Sequence, residues 1–261
     1  MSDFYLFRNT LRDLLRPGKL TAAGLLIGLV VLISLVAKSK LKGSDSDPAQ
    51  TYAMISSTMI FGMVLILPAV IFTTGLIQQE MEQKTIPYLL TRPLPRWRIL
   101  LAKFLAALSV TTLTVWIADI LVALILLGPA QAAHSKLWQD LRILLVGSCA
   151  YSAICLFLAV GVGRPLLVGL LYSFGLETWL PLLPGDWQKL SLMSYLHALA
   201  PHLDAESDTQ GASALISQAL SPQTIPVWMA WTVIAAVTSI SIGAALMIVS
   251  VKEFTPKEEA N

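Results

Sequence analysis

Long apolar runs alternate with short polar segments along the whole chain, and that rhythm sets the reading. Six runs are long enough to span a membrane: Leu20 to Ala37, Met54 to Ile77, Leu100 to Leu127, Leu141 to Val162, Pro165 to Leu183 and Pro226 to Val251. About 20 apolar residues in a helix cross a hydrocarbon core of about 30 Å. Within the runs the backbone must satisfy its own hydrogen bonds, so helices are expected. Pro68 falls inside the second run and is expected to kink it. Pro165 suits a first helical position, which makes Gly163-Arg164 a tight turn between the fourth and fifth runs.

Two further segments are amphipathic. Before the first run, Phe4, Phe7, Leu11, Leu14 and Leu15 share one helical face, flanked by Arg8, Arg12 and Arg16. That pattern suits a helix over residues 1–18 lying at a membrane surface, its arginines reaching lipid phosphates. Pro17-Gly18 then breaks the chain. The longest polar interval, residues 184–225, holds the amphipathic pieces LSLMSYLHALAPHL and ASALISQAL around an acidic middle. These pieces either dip into the leaflet and cap the bundle or form a small separate subdomain.

Composition agrees with this picture. The chain has 261 residues, 56% hydrophobic and 13% charged, against about 25% charged in a typical soluble domain. Its mean hydropathy is +0.71. The expected fold is all-α, a polytopic integral membrane protein of six transmembrane helices in one domain, residues 1–261. The net charge of +2 carries little, because the charges are segregated. Lys and Arg are divided 12 to 6 between the two sides, the richer side holding Arg8, Arg12, Lys84, Arg92, Arg96 and Arg98. Excess Lys and Arg mark the cytoplasmic side. Both termini are therefore expected in the cytoplasm, although Lys38, Lys40 and Lys42 crowd the first external loop. The first run is too long for a cleavable leader, and no small-residue cleavage site follows it.

The most informative segment is QQEMEQKTIPYLLTRPLPRWRILLAK, Gln78 to Lys103. Glu80 and Glu82 lead into Thr85, Ile86, Tyr88, Leu89 and Leu90. Pro93 and Pro95 stop any helix, and Arg92, Arg96 and Arg98 follow. Thr85 suits the cap of a short helix that tolerates Pro87 in its first turn. Ile86, Leu89 and Leu90 then form an apolar knob with a charged rim of Glu80, Glu82, Arg92 and Arg96. A plain linker between spans has no need of that design. A docking element for a cytosolic partner, residues 78–99, explains it.

The sequence carries no G-x-x-x-x-G-K-[ST] phosphate loop and no H-E-x-x-H, G-x-S-x-G or C-x-x-C motif. His197 and His202 are not on one helical face, and Cys149 and Cys155 read as buried small side chains. No catalytic, metal or cofactor site and no nucleic-acid-binding pattern is expected in the chain. Ionisable residues inside spans are functional candidates because burial there is costly. Two qualify. Asp119, about 28 Å along the third helix at 1.5 Å per residue, is expected near the outer interface, where a carboxylate is inexpensive. Glu177, a dozen residues into the fifth run, is expected to need a partner, snorkel or line a wet cavity.

The segment EMEQKTIPYLLTRPLPRWRILLAK closely resembles the cytoplasmic loop of type-2 ATP-binding cassette (ABC) permeases. Its acids, Lys84-Thr85, Tyr88-Leu89-Leu90 and Arg92-Pro93-Leu94-Pro95-Arg96 follow the family's order. The stretch GLLYSFGLETWLPLLPGDWQKLSLMSYL is similar to the family's fifth span and following external segment, with Glu177, Pro184-Gly185 and Ser191 to Tyr195 in the matching places. Lys84 departs from a common glycine. The resemblance implies an exporter-type permease subunit in the plasma (inner) membrane, a homodimer on a dimer of cytoplasmic ATPase subunits that bind ATP and Mg. Residues 78–99 would carry a coupling helix, and Glu177, hydrogen-bonded near Ser191 or Tyr195, would hold an outer gate. A non-transporting anchor that uses an ATPase for mechanical signalling stays open. A secondary transporter, for which no inverted repeat is visible, is the weaker rival.

Overall fold

The computed structural model describes residues 2–14, 17–41, 48–82, 96–129, 131, 137–177, 179–180, 186–200 and 225–251. Every element among them is helical. In chain order these are α1 (Ser2–Leu14), α2 (Pro17–Leu41), α3 (Pro48–Ile55), a π-helical stretch (Ser56–Val64), and α4 (Ile66–Glu82). Then come α5 (Arg96–Leu126), α6 (Leu137–Gly161), α7 (Pro165–Leu171), a second π-helical stretch (Tyr172–Glu177), a 3₁₀ turn (Asp186–Leu190), α8 (Leu192–Leu199) and α9 (Val227–Val251).

Five helical stretches among the described residues are long and apolar enough to cross a membrane: Gly18–Leu41, Pro48–Gly75, Trp97–Leu126, Leu137–Gly161 and Val227–Ser250. The fifth predicted run is different. Its continuous helix covers Pro165–Glu177, about 20 Å at 1.5 Å per residue. That is short of a full crossing. Helix α6 sits at the centre, packed on α4, α5 and α9. Of the apolar stretch in α6, 67% is buried, against 17% in α2 and in α9. These two therefore lie at the periphery, with Leu25, Leu32, Ile240 and Met247 facing outward.

The bundle has two distinguishable ends. At one, α1 lies across α5. Its Leu14 is fully buried, and Phe7 and Leu11 pack with Phe72, Ala106, Ala107 and Val110, while Arg8 and Arg12 are exposed. The apolar face read from the sequence thus covers this chain's own α4 and α5. Helix α5 has 31 residues, about 46 Å at 1.5 Å per residue. Its first turns lie inside the bundle, where Leu100 and Phe104 pack with Leu156 and Val160 of α6 and Ala245 of α9. Pro165 occupies the first turn of α7, and the bend at Gly163-Arg164 is as tight as expected.

At the other end, the α8 end, the chain turns between α2 and α3 and between α5 and α6. Helix α5 stops at Gly128, whose φ of +79° is a left-handed conformation that favours glycine. The Lys38 ammonium, in the last turn of α2, donates to the carbonyl of Ile125. That interaction satisfies one of the carbonyls that a helix end leaves bare. It gives a structural reason for a lysine on the side that charge counting reads as external.

The second run departs from regular α-helix just before Pro68. The π-helical stretch Ser56–Val64 closes with Leu65 N–H on the Ile60 carbonyl at 2.8 Å. Leu65 keeps helical dihedrals (φ −73°, ψ −44°), so the helix runs on through Pro68, just after the π-helical stretch. Helix α8, from the first of the two amphipathic pieces, packs against this stretch, and ASALISQAL lies outside the described residues. Leu192, Met193, Leu196 and Leu199 join the main core with Phe61, Leu65 and Leu144. The closest approach is at Gly147 of α6, where an added Cβ would stand 2.9 Å from Leu65 Cδ2 and 3.1 Å from Leu196 Cδ1. Gly147→Val is expected to destabilise the protein by about 1–3 kcal/mol through overpacking, lowering the melting temperature in detergent. Gly24→Val, with nothing within 4 Å of its Cβ position, is expected to leave that temperature unchanged.

Candidate functional site

Two buried polar clusters lie at the α8 end, and each is built on a π-helical stretch. The first centres on Glu177, 3% exposed, the last residue of the second stretch. Four donors converge on it. Tyr172 Oη donates to Oε1 at 2.6 Å and Ser191 Oγ to Oε2 at 2.7 Å. The backbone N–H groups of Leu192 and Met193 donate at 3.2 Å to Oε1 and Oε2. Four donors on two oxygens fill the acceptor capacity of a carboxylate.

The geometry follows from the ends of helices. Leu192 and Met193 open α8, and their N–H groups have no partner within the helix. Ser191 stands at the N-cap but makes no side-chain capping bond, its hydroxyl being turned to Glu177. The glutamate therefore caps α8 from another segment, and the negative charge suits the positive end of the helix dipole. Tyr195, the alternative partner for Glu177, donates instead to the Lys189 carbonyl at 2.8 Å. Glu177 neither snorkels nor meets water here. It ties the end of the short fifth run to α8.

The second cluster overturns the expected setting of Asp119. This residue is 0% exposed, not at an open interface. Distance along α5 alone put it near the membrane edge; α3 and α6 pack around it and close it off. Tyr52 Oη lies 3.2 Å from Asp119 Oδ1 and 3.1 Å from Asp140 Oδ2. Ser56 Oγ donates more weakly to Asp119 Oδ1 at 3.4 Å. Asp140 is itself 0% exposed and was missed in the sequence, because the fourth run was started at Leu141. The helix begins earlier, at Leu137. An acid in the first turn of a helix reads as a dipole partner in solvent, so Asp140 gave no warning of burial. Tyr52, just before the second run, and Tyr172, within the fifth, carried no signal beyond their hydroxyls.

Below this cluster α5 and α6 are tied by two further polar contacts. Trp116 Nε1 donates to the Leu141 carbonyl at 3.0 Å, and Thr112 Oγ1 lies 2.8 Å from Ser148 Oγ. The described residues hold no group of three or more His, Cys, Asp or Glu suited to a metal ion.

The docking residues expected between the second and third runs divide in two. Glu80 and Glu82 are in the last turn of α4 and Arg96 opens α5, with their side chains outside the description. Thr85, Ile86, Tyr88, Leu89, Leu90 and Arg92 lie outside the described residues. Helices α4 and α5 bring the two ends of that segment to the α1 end, away from the Glu177 and Asp119 clusters.

No curated protein matches the chain. A family model described as "ABC-2 family transporter protein" matches residues 15–176, more than half of the chain. That range takes in α2 to α7, the segment between α4 and α5, and the second π-helical stretch up to the residue before Glu177. Members are the transmembrane, non-catalytic permease subunits of ABC transporters, which pair with a cytoplasmic ATPase. With its apolar helices, α4–α5 segment and family match taken together, this multi-pass membrane protein belongs to the ABC-2 transporter family.

Proposed function

We propose that the chain is the permease subunit of an ATP-driven exporter, powered by a separate ATPase subunit that docks on residues 78–99. The observation that carries this reading is the pair of helix ends flanking the segment. Helices α4 and α5 run from the packed core to the two ends of the segment, α5 entering the core at Leu100 and Phe104 against α6 and α9. Two helices anchored in the core in this way can pass a push on the segment to the bundle as a rigid displacement. Ile86, Leu89 and Leu90 supply the apolar knob for a groove on the ATPase, and Glu80, Glu82, Arg92 and Arg96 the charged rim that sets register.

In this reading ATP and Mg belong to the partner, and this chain holds no cofactor. A second copy of the permease faces the first, with the path between them lined by the second and fifth runs. Glu177 holds α8 as the outer gate. The α1 end is cytoplasmic and the membrane is the plasma membrane. Support for the orientation comes from the exposed Arg8 and Arg12 on α1, placed to meet lipid phosphates, and from the excess of Lys and Arg on that side.

Orientation and function are tested together. Single cysteines at Lys84 and Asp208, in a background lacking Cys149 and Cys155, are expected to react from opposite sides of sealed cells with an impermeant thiol reagent. Position 208 reacts from outside and position 84 only after permeabilisation. Labelling of position 84 in intact cells refutes a cytoplasmic ATPase-docking segment. The purified chain alone is expected to hydrolyse no ATP.

A further inference from the structure

The two carboxyl clusters differ in their supply of hydrogens. Glu177 receives four donors. Asp119, equally enclosed, has one close neighbour, Tyr52, and a long contact to Ser56, both on Oδ1. Its Oδ2 is buried with no hydrogen-bond partner. A charged carboxylate with one bare oxygen in a membrane interior is expensive. A neutral carboxylic acid with a bare carbonyl oxygen costs far less.

Tyr52 sharpens the count. A phenol has one proton to donate, yet its oxygen lies between Asp119 Oδ1 and Asp140 Oδ2 at similar distances. If it donates to Asp140, a hydrogen is still needed between Tyr52 and Asp119. A proton on Asp119 Oδ1, donated to the Tyr52 oxygen, supplies it. The chain of donors then runs Asp119 O–H to Tyr52 O–H to Asp140.

No cation described around Asp119 replaces that proton. On α5 no other titratable side chain lies within two turns. From α3 and the π-helical stretch it meets Tyr52 and Ser56, and from α6 Asp140. Arg142 of α6 is exposed. The Lys38 ammonium of α2 is placed on the Ile125 carbonyl, more than a turn beyond Asp119. Helix α9 has no titratable residue, and His197 of α8 stands against the Phe61 ring.

We propose that Asp119 is a proton-binding site, holding one proton at neutral pH in a hydrogen-bonded relay through Tyr52 to Asp140. In the relay the Asp119 O–H bond breaks as the proton passes to the Tyr52 oxygen, while the Tyr52 proton passes to Asp140 Oδ2. The charge moves to Asp119 and no atom is lost. Loss of the proton from the cluster leaves a second buried negative charge. It therefore favours separation of α3, α5 and α6 at the α8 end, where water can reach them.

Infrared spectroscopy of the purified protein in lipid tests this directly. At neutral pH the wild type is expected to show the C=O stretching band of a protonated carboxyl, shifted in D₂O. Asp119→Asn is expected to abolish it, with the amide N–H₂ donating to Tyr52 in place of the acid. Tyr52→Phe is expected to keep the band but raise its frequency, because the acid loses its acceptor; this arm stands if Asp119→Asn fails to fold. The absence of the band in the wild type overturns the proposal. So does a band that Asp119→Asn leaves in place, or one that Tyr52→Phe does not move.

Discussion

Glu177→Leu is expected to lower the melting temperature of the detergent-purified protein and to separate ATP hydrolysis by the partner from transport. The substitution strands four donors: two hydroxyls and the first two N–H groups of α8. A buried donor left without an acceptor costs about 1–3 kcal/mol. The hydroxyls can turn to other acceptors, but the N–H groups cannot, so the main loss is the attachment of α8. Because α8 packs with Leu65 and Gly147 in the main core, its release loosens the whole α8 end. ATP would still be hydrolysed while the gate no longer follows. Glu177→Gln is expected to be milder. One oxygen survives, and the amide can donate to a hydroxyl, which leaves a single backbone N–H without its acceptor. If Glu177→Leu matches wild type in melting temperature, hydrolysis and transport, the contact is incidental to gating.

The second large effect is expected at the other end. Changing both Leu89 and Leu90 to aspartate is expected to abolish stimulation of the partner ATPase and with it ATP-driven transport. Two charges placed in an apolar groove must be desolvated without partners, which costs several kcal/mol. A loss of 4 kcal/mol weakens binding by about a thousandfold. Folding of the bundle is expected to be unchanged, because in this reading Leu89 and Leu90 face the partner's groove. Equal melting temperatures for the variant and the wild type, with association lost, separate docking from misfolding.

The comparison of chain and structure shows where sequence reading works. Membrane helices were legible because the bilayer imposes one requirement, apolar length, that residues such as those of α2 and α9 meet openly. The amphipathic face of α1 was legible from its helical spacing, but what it covers, α4 and α5 of the same chain, was not. Where packing decides, the signal failed. Asp119 looked peripheral because linear distance says nothing about what closes over a residue. Asp140 drew no attention because the fourth run was read as starting at Leu141, one residue later. The π-helical stretches carry the same apolar residues as an α-helix, so neither could be seen. Glu177 was singled out because a charge in an apolar run needs an account. Its bond to Ser191 rests on a turn that brings residues 14 apart in sequence together.

The central claim is that this chain takes its energy from a separate ATPase through residues 78–99. The most direct measurement is affinity purification of the tagged full chain from its native membrane in mild detergent, with the amount of co-purified phosphate-loop ATPase compared between wild type and the Leu89→Asp, Leu90→Asp double variant. The account predicts an ABC ATPase recovered in equal amount with the wild-type chain and lost with the variant, while the second permease copy is retained. Recovery of the wild-type chain without any such ATPase, or equal recovery with both forms, contradicts it.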